Sequence, residues 1–350
     1  MSESKYRLPP EWARQSAVLI AWPQATGDFS RWLPAVEDNY GAIAREISGR
    51  QPLIVACQDD RHQVHVRECL VRHGARVANL RLVNLPYDDI WVRDTAPLTV
   101  VDGMRPCLLD FRFTGWGHKH SHAADARLAG QLAKSGVFAD ADCQTLPLVL
   151  EGGSVEVDGQ GSLLTTRHCL LNPNRNPDLS QEDIEAELKS HFGVEHILWL
   201  DHGHIAGDDT DAHVDTLARF CPADTIAYTA CTEPEDEHFD SLANLRAQLE
   251  TFRTPDGRPY RLVGLPIPEA IFDEDGRRLP ATHTNFLIVN GAVLVPVYDD
   301  PADAVSLSRL AGCFPGREIV PVPCRGLIHQ YGSLHCMSMQ FPEALVLEAA

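Results

Sequence analysis

Residues 303–341 read DAVSLSRLAGCFPGREIVPVPCRGLIHQYGSLHCMSMQF. Apolar residues at helical spacing begin at Asp303. A short apolar run, EIVPVP at 318–323, closes on proline like a strand. A polar loop follows, GSLHC, which places Cys336 beside His335. The run LHCMSMQF at 334–341 then reads as a second strand.

The same order occurs earlier in the chain. Helical patterns start near Arg61, Asp125, Ser180 and Phe239, and a further one, LPAVEDNYGAIAREI, covers 33–47. Each of the four is followed by a strand-like run: LRLVNLP (80–86), CQTLPLVL (143–150), HILWL (196–200) and YRLVGLP (260–266). After a Gly- or Asp-rich loop comes another: APLTVV, SLLTT, TLARF and NFLIVNGAVLVPV. A repeat of this kind points to one α/β fold of five similar units, because no unit could bury its own apolar face alone. Any alternating α/β chain shows a comparable pitch, so the loops must decide.

Those loops carry the chemistry. The first holds Asp88, Asp89 and Asp94 in YDDIWVRDTAP, and the second holds Glu151 in EGGS. The third, GDDTDAHVD, has Asp208, Asp209, Asp211, His213 and Asp215; the fourth, THTN, has His283 and Asn285. In a five-fold arrangement one thiol, one histidine and several carboxylates would meet at one end of the axis. The thiolate is the strong nucleophile of such a set, and histidine moves protons near neutral pH. Clustered carboxylates repel one another unless they hold a cation, and a planar guanidinium fits paired carboxylates. The constellation therefore suggests attack of Cys336 on the carbon of a bound guanidinium. Each motif also has a simpler reading. His213 could be a surface histidine, Asp209 or Asp211 a helix cap, and EGGS a tight turn. The Asp-x-His pattern, with DHGH at 201–204, could instead belong to a metal site.

Bulk composition narrows the partners. The 350 residues carry 30 Lys and Arg against 49 Asp and Glu, a net charge of −19, which argues against nucleic acid and anionic membranes. The start, MSESKYRLPP, lacks the apolar core of a signal peptide, and the greasiest stretch, 285–297, is broken by Asn290, Gly291 and Pro296. A cytoplasmic protein is expected, its ten cysteines reduced.

Taken in order, LPPEWARQSAVLIAWP (8–23), DDIWVRDTAP (88–97), LEGGSVEVDGQGSLLTT (150–166), GDDTDAHVDTLARF (207–220), TNFLIVNG (284–291) and GSLHCMSMQ (332–340) resemble the agmatine deiminase and Porphyromonas-type peptidyl-arginine deiminase family. That family belongs to the guanidino-group-modifying enzymes. The resemblance implies a single domain over 1–350, a five-bladed pseudo-symmetric α/β-propeller (pentein fold). It implies hydrolysis of agmatine to N-carbamoylputrescine and ammonia, in putrescine and polyamine biosynthesis, with no cofactor and no metal. Cys336 is then the nucleophile that forms an amidino-thioether, and His213 the general acid and base. Asp94 and Asp215 grip the guanidinium, and Glu151 supports the histidine. Asp209 and Trp91 complete the pocket, Trp91 along the methylene stem, while Gly332 and Ser333 form the turn that presents the cysteine. A homo-oligomer is also implied.

Two departures from the family pattern stand out. YGSLHC replaces a glycine-rich run, and Ala212 stands where a glycine precedes the histidine, a change accommodated unless the backbone there needs positive φ. Deimination of free or peptidyl arginine is the alternative activity, with Arg93 and Arg325 as candidate partners for an α-carboxylate. A silent cation- or protein-binding propeller is the other alternative. Cys324 is the thiol to watch for coupling to Cys336; the remaining cysteines read as small core or surface residues.

Overall fold

The computed structural model describes residues 5–139 and 141–348. Residues 1–4, which open the segment read as lacking a signal peptide, lie outside the described residues, as do 349 and 350. Strand β1 (Gln15–Ala21) is followed by helix Leu33–Arg50, β2 (Leu53–Cys57), helix Asp60–Arg72 and β3 (Leu80–Asn84). Then come β4 (Leu98–Asp102), β5 (Arg105–Arg112), helix Leu128–Lys134 and β6 (Asp142–Val149). The third unit has β7 (Val155–Val157), β8 (Ser162–Thr166), helix Gln181–Phe192 and β9 (His196–Leu200). The fourth has β10 (Ala218–Cys221), β11 (Thr225–Ala230), helix Phe239–Leu249 and β12 (Arg261–Pro266). The fifth has β13 (Leu287–Val289), β14 (Ala292–Val297), helix Pro301–Cys313 and β15 (Glu318–Pro323), after which β16 (Ser338–Pro342) ends the described strands.

These strands form five sheets with one recurring plan. The first strand of each pairs antiparallel with the second, and the second pairs parallel with the third, as in β4–β5–β6, β7–β8–β9, β10–β11–β12 and β13–β14–β15. A parallel pair needs a crossover, and a helix supplies it in every unit. The remaining sheet has the order β16-β1-β2-β3. Here the last strand lies antiparallel to the first, Met339 opposite Leu19, so the two ends of the chain close the ring. The architecture is the five-bladed α/β-propeller, with β3 as an additional outer strand.

Local chemistry explains where several helices begin and end. Asp59 accepts a hydrogen bond from the His62 amide and starts helix Asp60–Arg72. Ser180 and Asp183 form a reciprocal capping box, and that helix stops at Gly193 in the left-handed region. Asp300 and Asp303 form another box ahead of helix Pro301–Cys313, with proline at its first turn. Apolar helix faces then pack on the sheets: Ile184, Leu188 and Phe192 join the cluster containing Leu163 and Trp199.

Two sequence expectations need revision. NFLIVNGAVLVPV is a hairpin and not one strand, because Gly291 at φ 78 turns the chain between β13 and β14. LHCMSMQF becomes a strand only at Ser338. Before it, the Met337 amide donates to the Ser333 carbonyl and the Ser338 amide to the His335 carbonyl, a turn that holds Cys336 out of the ladder.

The first strands of successive blades face one another around a buried polar core. Glu11, from the amino-terminal segment, binds Arg93 at 3.1 Å, Arg219 at 2.5 Å and His335 at 2.8 Å. Arg219 also pairs with Glu156 and donates to the Thr284 and Phe286 carbonyls. These groups come from all five blades. Each buried charge there has a partner, without which several kcal/mol of desolvation would be left uncompensated.

Candidate active site

The five motif loops occupy one equivalent place: each lies just before the first strand of a blade. Asp94 sits in the helical turn Val92–Thr95 before β4, and Glu151 precedes the turn Gly152–Ser154 before β7. His213 and Asp215 precede β10, Asn285 precedes β13 and Cys336 precedes β16. Ring closure therefore brings together residues that are as far as 242 positions apart in sequence.

Asp94, Glu151, His213, Asp215 and Cys336 are all buried. His213 Nδ1 is 3.6 Å from Asp94 Oδ1, and His213 Nε2 is 3.9 Å from Glu151 Oε2. The Cys336 thiol points to Asp215 Oδ2 at 3.6 Å and receives a hydrogen bond from Asn285 Nδ2 at 3.2 Å. Asn285 Oδ1 in turn accepts from the backbone amides of His335 at 2.8 Å and Cys336 at 3.3 Å, which fixes the thiol loop. Both Asp94 oxygens are aimed by donors: the Gly153 amide at 2.8 Å on Oδ1 and the Trp116 indole at 2.9 Å on Oδ2. Asp215 Oδ2 accepts from His335 Nδ1 at 2.8 Å.

Glycine is required at 153, since a Cβ there would lie 2.7 Å from His213 Nδ1 and 2.9 Å from Asp94 Oδ1. EGGS is thus more than a turn: its second glycine leaves room for the histidine. Ala212 has φ 63, so the backbone before His213 does adopt the left-handed conformation, and a methyl group occupies it at a cost. The Asp211 carboxylate, bound by Arg175, Lys119 and Asn174, holds this loop in place.

Electrostatics follow from burial. Burial pushes the Asp94 carboxyl above its ordinary value, His213 pulling against it and Asp215 adding to it. For Asp215 burial also opposes the charge, but the His335 hydrogen bond and charge outweigh it and lower the group. Glu151 is lowered too, burial being overcome by His213 and Arg175, which donates to Oε1 at 3.0 Å. Burial opposes the His213 imidazolium, but Asp94 and its other neighbours hold it well above 6.5. The Cys336 thiol is driven well above 9.0 by burial and then by Asp215 and Asp94. A bound cation between those carboxylates would reverse the last effect. In the ligand-free protein, alkylation of Cys336 by iodoacetamide, followed on its own peptide, should rise continuously through pH 9.0. A plateau below about pH 8 would mean that the empty site already holds a thiolate.

Cys336, Asp94 and Trp91 line a cavity of about 500 Å³, with Asp28, Asp89, His120 and Asp209 toward solvent. Trp91 and Asp209, expected as pocket residues, both line this cavity. Arg93 and Arg325, the candidate partners for an α-carboxylate, do not line it. Arg93 is buried in the polar core and also binds Gln340, while Arg325 donates to the Tyr298 carbonyl outside the cavity lining. Asp201, His202 and His204 of DHGH are exposed and do not join His213. Cys324 is buried, and among the described residues all ten cysteines are free.

The site also uses residues that the motifs did not assign. Trp116 sits in a turn in which Gly115, Trp116, Gly117 and His118 all have positive φ, and GWG is the visible signature of that turn. Tyr331, at φ 70, lines the cavity with Arg277 stacked 4.6 Å from its ring. Gly332 must be glycine beneath it, because a Cβ would meet the Trp91 ring at 2.6 Å.

Fold and site together define a pentein-type propeller with a cysteine, a histidine and paired carboxylates at its centre. The chain belongs to the Porphyromonas-type peptidyl-arginine deiminase family, whose model matches residues 7–342. It is 32% identical to an agmatine deiminase of Pseudomonas fluorescens, covering 96% of this chain and 95% of that one. Among solved structures, a C. jejuni agmatine deiminase carrying a cysteine-to-serine substitution, with substrate bound, is 32% identical with TM-score 0.90, covering 97% of both chains. A Porphyromonas gingivalis protein provisionally named an arginine deiminase is 44% identical with TM-score 0.90, covering 97% of this chain and 99% of that one.

Proposed function

We propose that this protein is an agmatine deiminase, a hydrolase that converts agmatine and water to N-carbamoylputrescine and ammonia, with the whole chain working as one domain. The observation that carries the substrate is the charge of the cavity. Asp94 lies at its inner end, and Asp28, Asp89 and Asp209 lie toward its mouth, with no Arg or Lys among the described residues that line it. Agmatine is positive at both ends and matches that distribution.

Free arginine is the second reading, favoured by the kinship with the Porphyromonas gingivalis protein. Its α-carboxylate would need a cation, and the nearby ones are engaged. Lys119 binds the Asp209 carbonyl at 2.8 Å and Asp211 at 3.0 Å, and His120 binds Asp209 at 2.7 Å.

The chemistry runs as follows. Asp94 and Asp215 take the guanidinium and localise its charge. The added cation lets Cys336 ionise, its proton leaving to solvent, with Asn285 donating to the sulfur. The thiolate attacks the central carbon, and a C–N bond breaks as His213 gives its proton to departing ammonia. The amidino-thioether remains on Cys336. His213, now neutral, takes a proton from water; the hydroxide adds to the same carbon, the C–S bond breaks to return the thiolate, and the hydroxyl proton of the product passes to the sulfur, leaving the carbamoyl C=O and the resting thiol. Two easier displacements thus replace one difficult one.

The test is ammonia release from agmatine, free arginine and a blocked arginine peptide. The expected preference for agmatine over arginine in kcat/KM is at least about 100-fold, because a carboxylate would face like charges. Equal or better turnover of arginine would overturn the substrate assignment. Burial, with repulsion from Asp28, raises Asp89 to about 6. Its charge is therefore lost as pH falls through that value, and the KM for agmatine should rise there.

A further inference from the structure

Behind the cavity wall, Cys169 stands next to His213 and Glu151. Its sulfur is 4.0 Å from Glu151 Oε2, which is itself 3.9 Å from His213 Nε2. One ligand atom from each of these three buried residues lies within 4.8 Å of the other two. His213 is 1% exposed, yet neither of its ring nitrogens has a hydrogen-bond partner. Its nearest carboxylate oxygens stand 3.6 and 3.9 Å away, too long for direct hydrogen bonds. Arg175 sits closer to Glu151 Oε1, at 3.0 Å, than to Oε2, at 3.4 Å.

Thiolate, imidazole and carboxylate are the ligands Zn²⁺ selects, with bonds of about 2.0–2.3 Å that place ligand atoms roughly 3.5 Å apart. The gaps of 4.0 and 3.9 Å close to that spacing with movements of about 0.5 Å, and the third pair starts within 4.8 Å. The two anionic ligands offset the divalent charge; Arg175, paired with Glu151 at 3.0 Å, opposes it, and Asp94 and Asp215 supply the negative field that compensates. We propose that Glu151, Cys169 and His213 form a binding site for a thiophilic divalent cation, Zn²⁺ or its spectroscopic substitute Co²⁺, and that occupancy stops turnover by taking the histidine nitrogen. Binding releases the Cys169 thiol proton, and the second proton of any imidazolium, to solvent. Affinity therefore rises with pH. Only the inhibitory consequence rests on the deiminase reading; the binding does not.

Two other thiols compete for the assignment. One is Cys336 itself. The other is Cys69, near His65 at 3.5 Å and Glu37, but already receiving a hydrogen bond from Arg72 at 2.8 Å. Co²⁺ titration of the full chain separates the three. Cys336→Ala should bind one Co²⁺ with a thiolate-to-metal charge-transfer band. Adding Cys69→Ser should leave the band, and adding Cys169→Ser, or Cys169→Ala should the serine variant not fold, should remove it. In the protein with Cys336 intact, Zn²⁺ should inhibit ammonia release and a chelator should restore it. Cys169→Ser should be at least tenfold less sensitive, measured against its own metal-free rate. A band that needs Cys336 or Cys69, one that survives loss of Cys169, or no band at all would overturn the proposal. The spectrum is read without turnover, so its failure is distinct from failure of the deiminase assignment.

Discussion

Cys336→Ala abolishes ammonia release from agmatine, by on the order of 10⁴-fold or more, the scale seen when a covalent nucleophile is removed. The fold survives. The side chain is small, and Asn285 still anchors the loop through the two amides it accepts from. The expected cost in stability is about 1 kcal/mol, from loss of a small buried side chain that is neutral in the ligand-free protein. Unfolding in denaturant and ammonia release on the same sample check both halves. Retention of turnover would remove Cys336 from the chemistry.

The second large effect is at Asp94. Asparagine has nearly the same shape, but Asp94 accepts on both oxygens, from the Gly153 amide and the Trp116 indole. An amide group can satisfy only one of these donors and turns its NH₂ against the other. It also removes the charge that faces the guanidinium and His213. Asp94→Asn should therefore lower kcat/KM by about 10³-fold, combining a lost charge-assisted pair with an orphaned buried donor. Both kcat and KM should worsen, because the carboxylate serves binding and, through His213, proton transfer. A change in KM alone would confine Asp94 to binding.

How much of this could be read from the chain depends on the residue. The helices were legible because their apolar spacing and caps are local, as at Asp59, Ser180 and Asp300. The loops with Asp94, Glu151, His213, Asp215 and Cys336 were legible because each carries a dense polar motif at the same point of a repeat. The innermost strands were harder. Val155–Val157 and Leu287–Val289 span three residues each and carry no alternation to detect. The role of Arg93 stays open in sequence because a basic residue in a motif loop looks available, and only tertiary structure reveals Glu11 and Gln340 against it. Trp116 and Arg175 were missed because their partners, Asp94 and Glu151, are distant in sequence. His335 stands beside Cys336 in sequence, and nothing local signals what it holds. Its task, holding Asp215 from one nitrogen and Glu11 from the other, couples the pocket to the polar core.

Acid quenching of the protein during turnover of agmatine, followed by mass spectrometry of the peptide containing Cys336, tests the central claim most directly. The account predicts a labile adduct on Cys336 with the mass of agmatine less ammonia, absent from Cys336→Ala. Turnover of agmatine with no adduct on Cys336 at any quench time, or with the adduct on another cysteine, would contradict it.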